Sequence, residues 1–293
     1  MGQSHDRAMS NQTTFDANGE NGLIMGDKYL PEELLIEIFI YTDYKTLLKC
    51  QLVCKRWKDL LQEYVWRKKA EMIIDRSLSS DKDLPWYVYY LICKKRPFER
   101  NLLKNHSGQY GVKKHWKIVA EGGNRWVVEN PPVGVPPLSA NVPIFEGKQC
   151  CFATSYINCC KVQKIDLEEE GLHPLLLDNL QPPVQVSEWY SCRWDCPAIY
   201  EFTAELLDKD DKVIDSFQHR DSIEGENQNQ WLRVLYTFKN YGSGLRKINF
   251  YHGGVDKLFW EGNYGSKMAG ACVCIKAPEL QRSELDADNS NVD

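Results

Sequence analysis

Two hydrophobic periods divide the chain: apolar residues recur at helical spacing from Tyr29 to about Phe98, then alternate with polar ones from Trp116 onward. In the first part Leu34/Ile38 and Leu35/Phe39 are four apart, which stacks each pair on one helix face. Pro31 suits the first turn because its missing N–H would be unpaired there, and Glu32 and Glu33 follow where the helix dipole favours negative charge. Thr42-Asp43 offers a cap for a second helix with Leu47 and Leu48, and a third carries Val53, Trp57, Leu60 and Leu61. Trp86 to Cys93 reads as a further apolar helix, entered by Asp83 and Pro85 and ended by Pro97. Asn101 to His115 reads as connecting chain.

In the second part Tyr200, Phe202, Ala204 and Leu206 share one strand face, opposite Glu201, Thr203 and Glu205. Leu232, Val234, Tyr236 and Phe238 do the same further on. Other predicted strands are 126–129, 152–156, 162–167, 184–189, 213–217, 247–251 and 271–276. Short strands divided by Gly, Pro and Asp predict a sandwich or barrel, and the prolines of 131–143 fit only a loop or arm. The fold class expected is multidomain, α then β: a helical module followed by an antiparallel β-sandwich. Both ends are polar and aperiodic, which predicts a disordered leader over 1–26 and a flexible tail over 279–293.

Composition narrows the function classes. With 36 Lys+Arg against 41 Asp+Glu the 293-residue chain has a formal net charge of -5, which argues against nucleic acid as a partner. The basic clusters at 67–69, 94–96 and 113–114 are scattered and read as solvated surface. No apolar run is long enough to span a bilayer, so no membrane insertion is expected. The first residues lack the apolar stretch of a signal peptide, which predicts a cytosolic or nuclear protein whose 11 cysteines stay reduced. Cys192/Cys196 and Cys272/Cys274 mimic metal spacing, but no C-x-x-C pair or well-spaced His completes a site, so neither metal nor cofactor is expected.

Leu30-Pro31, Leu34, Ile38, Leu47, Cys50, Val53-Cys54, Trp57 and Leu60 form a pattern that resembles the F-box, here placed over 27–75. So short a unit cannot bury all these groups alone, and some must meet a partner surface. The resemblance implies that Leu30, Pro31, Leu34, Ile38, Leu47, Val53, Cys54 and Trp57 bind a Skp-type adaptor, and through it the cullin and RING subunits of a ubiquitin ligase. Leu34, Ile38 and Leu60 are equally compatible with core packing.

After a helical linker over 76–100, the segments 100–104, 122–126, 152–156, 162–167, 188–190 and 252–256, then Phe259-Trp260, are similar to the F-box-associated domain, here 101–278. That family's fold is a ten-stranded antiparallel sandwich, and several members bind the chitobiose and mannose core of N-linked glycans on misfolded glycoproteins. The resemblance implies a non-catalytic, cytoplasmic subunit that presents such glycoproteins for ubiquitination and degradation. It places Trp260 against a sugar, Phe259 and Tyr156 as walls of an N-acetyl pocket, and Asp195 as a rim acceptor of hydroxyl protons. Glu261 departs from the family's lysine and Phe259 from its tyrosine, while the backbone N–H at Glu261 stays available. Two other readings stand beside this one. One is an adaptor for a protein surface without sugar. The other is a glycan-processing enzyme, for which Asp195 and Glu261 are the sole carboxylate pair to nominate.

Overall fold

The structure, a computed structural model, describes residues 23–25, 28–78 and 84–278. The rest of the expected leader, the tail from 279 and the helix-entering Asp83 lie outside the described residues. The leader boundary is corrected at its end: β1 (Ile24–Met25) pairs antiparallel with β2 (Lys28–Tyr29), and Leu30 N–H donates to the Leu23 carbonyl at 2.7 Å. Tyr29 therefore closes a strand pair, and the first helix starts only at Glu32.

The helical module follows as α1 (Glu32–Tyr41), α2 (Tyr44–Cys50), α3 (Lys55–Leu60), a wide π turn at Leu61–Val65, α4 (Trp66–Ile74) and α5 (Trp86–Lys95). Pro31 stands at the N-cap of α1, and Asp43 caps α2 by accepting from Lys45 N at 3.0 Å and Thr46 N at 3.1 Å. Cys54 caps α3 through its sulfur, 3.5 Å from Trp57 N. The buried Lys69 donates to the Ile40 carbonyl at 2.7 Å, a cation where the α1 dipole is negative. Trp66 sits under α5 with the Tyr90 ring edge-on at 5.4 Å. The far end of α5 reaches the sandwich: Lys95 Nζ donates to the Glu169 carbonyl at 3.1 Å, and Arg100 pairs with Glu170 at 2.6 Å.

The sandwich strands are β3 (Lys117–Glu121), β4 (Val127–Glu129), β5 (Cys151–Ala153), β6 (Cys159–Asp166), β7 (Val184–Ser191), β8 (Ala198–Leu207), β9 (Val213–Ile223), β10 (Leu232–Phe238), β11 (Lys247–Asp256) and β12 (Lys267–Ile275), with α6 (Pro174–Leu180) between β6 and β7. They form two five-stranded antiparallel sheets, ordered β10-β7-β12-β5-β4 and β3-β6-β11-β8-β9. The predicted helical-then-sandwich architecture is thus the one found.

The space between the sheets is not purely apolar. Lys161 and Glu188 are fully buried there with His252, among Trp116, Trp126 and Phe152. Glu188 accepts from Tyr200 OH at 2.6 Å and lies 2.6 Å from His252 Nδ1, while His252 stacks on Trp116 at 4.4 Å. Burial pushes the Lys161 amine well below the ordinary lysine range and the His252 ring below its usual value, against the opposing pull of Glu188.

Candidate functional site

Register fixes where the candidate residues meet. Ala153 pairs with both Val127 and Lys267, and Lys267 also pairs with Ser191, so these strand ends are level in the first sheet. In the second sheet Cys159 faces Gly254, and Asp256 faces Ala198. The loops 122–126, 154–158, 192–197 and 257–266 therefore leave the sandwich at one end. Tyr156, Asp195, Phe259, Trp260 and Glu261 all lie in these loops. The strand expected over 152–156 stops at Ala153, because Thr154 and Ser155 turn to serve the loops: Thr154 N–H donates to the Ser266 carbonyl at 3.1 Å, and the Ser155 carbonyl accepts from Asp256 N at 3.1 Å.

Each loop is latched to its neighbour. Ser155 Oγ donates to the Gly262 carbonyl at 3.0 Å and accepts from Asn124 N at 2.8 Å. Asn124 Oδ1 in turn accepts from Gly262 N at 3.0 Å. Gly262 has φ 86, and a Cβ there would lie 2.5 Å from the Tyr264 ring, so a glycine is required. Gly123 is held in the same way, since a Cβ would meet Ser155 Oγ at 2.6 Å and the Tyr156 ring at 2.9 Å. The Tyr156 ring thus lies over the Gly122-Gly123 turn, one residue from the serine that ties it to the aromatic loop.

Phe259 packs on Tyr264 with ring centroids 4.5 Å apart, and the Arg193 guanidinium covers Tyr264 at 4.5 Å. That stack orients Phe259. Trp260 stands at the loop tip, 79% exposed, with Leu258 and Glu261 exposed beside it. The 192–197 loop is tied in by Lys257 N, which donates to the Pro197 carbonyl at 3.0 Å. Asp195 differs from the expectation of a carboxylate open to sugar. Arg193 holds both its oxygens, at 2.8 and 2.9 Å, and draws its carboxyl below the usual range, leaving only outward lone pairs for a ligand.

Sequence reasoning missed the residues that position this end. Asp256 Oδ1 accepts from Leu258 N at 3.1 Å and Phe259 N at 3.0 Å, an Asx-type turn that starts the aromatic loop. Desolvation pushes the Asp256 carboxyl up, against those two hydrogen bonds. Asp256→Ala should leave both N–H groups without this acceptor. Amide hydrogen exchange at Leu258 and Phe259 should accelerate about fivefold, the equivalent of one ordinary hydrogen bond of ~1 kcal/mol. Asp256→Asn, which keeps an oxygen in place, should exchange nearly as wild type. Equal protection in all three would mean that the turn does not depend on this carboxyl.

In the helical module, Pro31 and Val53 are exposed, as are Leu34 and Ile38 at 53% each, so α1 turns this pair to solvent and buries Leu35 and Phe39. Leu30, Cys54 and Trp57 are half-buried, and Trp57 meets Phe39 edge-on at 5.0 Å. Leu47 needs correction as an adaptor-facing residue. It is fully buried within the hydrophobic core, and so it serves packing. Tyr41 and Leu52, not nominated from the sequence, extend the exposed apolar surface of Leu34, Ile38 and Val53. Among the described residues no group of three or more His, Cys, Asp or Glu could hold a metal ion.

Fold and site define a class: a helical module with an outward apolar face, joined to an antiparallel sandwich with a latched aromatic loop at one end. Comparison with known proteins assigns it to a family. The family described as "F-box associated region" matches residues 93–275, and the one described as "F-box-like" matches 28–71. F-box only protein 6 of Rattus norvegicus is 33% identical over 89% of this chain and 93% of its own length. F-box only protein 6 of Bos taurus is 36% identical over 84% and 91%, and F-box only protein 44 of Mus musculus 32% over 85% and 96%. The chain belongs to the F-box proteins that carry an F-box-associated region.

Proposed function

We propose that this chain recruits N-glycosylated, misfolded proteins to an SCF-type ubiquitin ligase in the cytoplasm. Its F-box holds a Skp-type adaptor, with cullin and RING subunits beyond, and its loop end binds the chitobiose and mannose core of the glycan. The chain itself has a binding role and no catalytic one. The observation that carries the glycan reading is the exposed Trp260 beside Phe259, held on a latched loop with Tyr156 and Asp195 at the same end. A pyranose has an apolar C–H face for such rings and hydroxyls for a polar rim. Titrating chitobiose into wild type and Trp260→Ala tests it. Loss of the ring should cost ~1–3 kcal/mol, by analogy with base stacking on aromatic side chains, or about a five- to over hundredfold drop in affinity. Glu261→Lys should bind more tightly, since it exchanges a carboxylate for a hydrogen-bond donor. Equal affinity in all three would rule the loop out as a sugar site.

One observation favours a second reading, a glycan-independent protein target. Arg193 occupies Asp195, and the exposed Leu258 and Trp194 give this end an apolar character suited to a polypeptide. Failure of wild type to bind chitobiose, with retention of an unglycosylated substrate, would decide for it.

A further inference from the structure

The outer face of the second sheet carries a cavity of about 280 Å³ that neither the loop site nor the adaptor surface uses. Pairing explains its shape. Tyr251 stands on this face between Val162 and Thr203, and the next outward position along β11 is Gly253, between Cys160 and Glu201. Gly253 supplies no side chain, so the sheet face dips beside the Tyr251 ring. The dip is built in: a Cβ at Gly253 would lie 2.3 Å from the Cys159 carbonyl oxygen.

The lining has a definite chemistry. Glu201, Thr203, Glu205 and Gln218 surround the dip with groups that accept or donate hydrogen bonds, and Tyr251 adds an aromatic wall. Asn249 Nδ2 bonds Glu205 at 3.0 Å and the Tyr251 hydroxyl at 3.2 Å, which holds both side chains in place. Glu201 pairs with Arg220 at 2.9 Å, so its charge is largely balanced, and the remaining carboxylate disfavours an anion. An aromatic wall beside several acceptors and an amide matches a neutral polyol ring better than a charged or wholly apolar ligand. The volume lies near the lower end of small-molecule sites, room for a sugar ring or two. Gly253 precedes Asp256 by three residues on β11, which puts the dip about 10 Å along the strand from the start of the aromatic loop. A branched glycan held at the loop end can reach that far.

We propose that this cavity is a second saccharide subsite, taking a neutral hexopyranose from a branch of the glycan whose N-acetyl-bearing core sits in the loops. The inference rests on the glycan reading above, and its test separates the two. Isotope-labelled full-length chain is titrated with chitobiose, with α-linked mannotriose and with a mannose-branched glycan that includes chitobiose. Mannotriose should shift amide signals in 201–205, 216–220 and 249–253, equally in wild type and Trp260→Ala. Thr203→Trp fills the dip and should weaken the branched glycan about tenfold, the scale of one lost ring contact, without changing chitobiose affinity. Glu201→Ala, at the solvent-exposed rim, gives the same comparison with less demand on folding and should weaken it severalfold. Sheet-face shifts without any response to chitobiose would keep the cavity and overturn the loop reading. Chitobiose binding lost in Trp260→Ala, with the sheet face silent to both mannose probes, would keep the loop reading and overturn the cavity. Branched-glycan affinity equal in wild type and both sheet variants would also overturn it.

Discussion

A chain carrying Glu188→Ala is expected to be less stable by about 3–5 kcal/mol, the cost of removing one partner from a buried charge cluster. Glu188 accepts from Tyr200 OH and meets His252 Nδ1, each at 2.6 Å, and its charge opposes the desolvation of Lys161. Its removal leaves several polar groups between the sheets without that partner. Glu188→Gln retains an acceptor and should lose less. Lys161→Met replaces a buried amine with an apolar chain of similar size and should melt no lower than wild type. The pH dependence has a definite sign. Lys161 is held well below the ordinary lysine value of 10.5, so in the window beneath 10.5 the unfolded chain binds a proton that the folded one refuses. Wild type should therefore gain stability relative to Lys161→Met as pH rises through that window, by at most ~1.4 kcal/mol per pH unit. His252, lowered from 6.5, adds a loss as pH falls below that value. Denaturant melts at several pH values measure both effects. A Glu188→Ala chain as stable as wild type, or parallel pH profiles, would show that these buried groups do not depend on Glu188 or resist protonation in the folded chain.

The same cluster shows where sequence reading stops. β8 was legible because Tyr200, Phe202, Ala204 and Leu206 obey period two on a central strand with one face buried. Its counterpart on the edge was half right. Val234 and Phe238 are buried as expected, but Tyr236 is exposed and stacks on Phe217 of the other sheet's edge strand at 4.1 Å. Lys161 breaks the pattern of β6: its amine is buried over the rings of Trp116, Trp126 and Phe152, and the charge of Glu188, from the facing sheet, opposes its desolvation. β3 and α6 went unpredicted, the first a five-residue edge strand with no buried residue, the second a seven-residue Leu-rich helix capped by His173 and opened by Pro174. At the loop end the rings of Phe259 and Trp260 stood out because they lie among glycines in a polar stretch. Asn124, Ser155 and Asp256 did not, because their roles depend on register between strands distant in sequence.

The other large effect lies on α1. Leu34→Asp with Ile38→Asp should abolish binding of a purified Skp-type adaptor, while either change alone should weaken it strongly. Both side chains point to solvent, so the fold should lose little: exposed substitutions stay within ~0.5 kcal/mol. In a complex, each would be an apolar anchor of the kind worth at least ~2 kcal/mol, and a carboxylate in its place must be buried unpaired. Two such losses amount to about 4 kcal/mol, close to a thousandfold in affinity. Leu47→Ala gives the opposite signature. Its side chain is fully buried, so the change should cost ~2–5 kcal/mol of folding stability and affect adaptor binding only through the loss of folded protein. Calorimetric titration of the adaptor, with a thermal melt of each variant, separates surface from core. Undiminished affinity in the α1 double variant would show that the exposed Leu34–Ile38 face is not the docking surface and would move it to other exposed positions of the module such as Pro31, Leu52 and Val53.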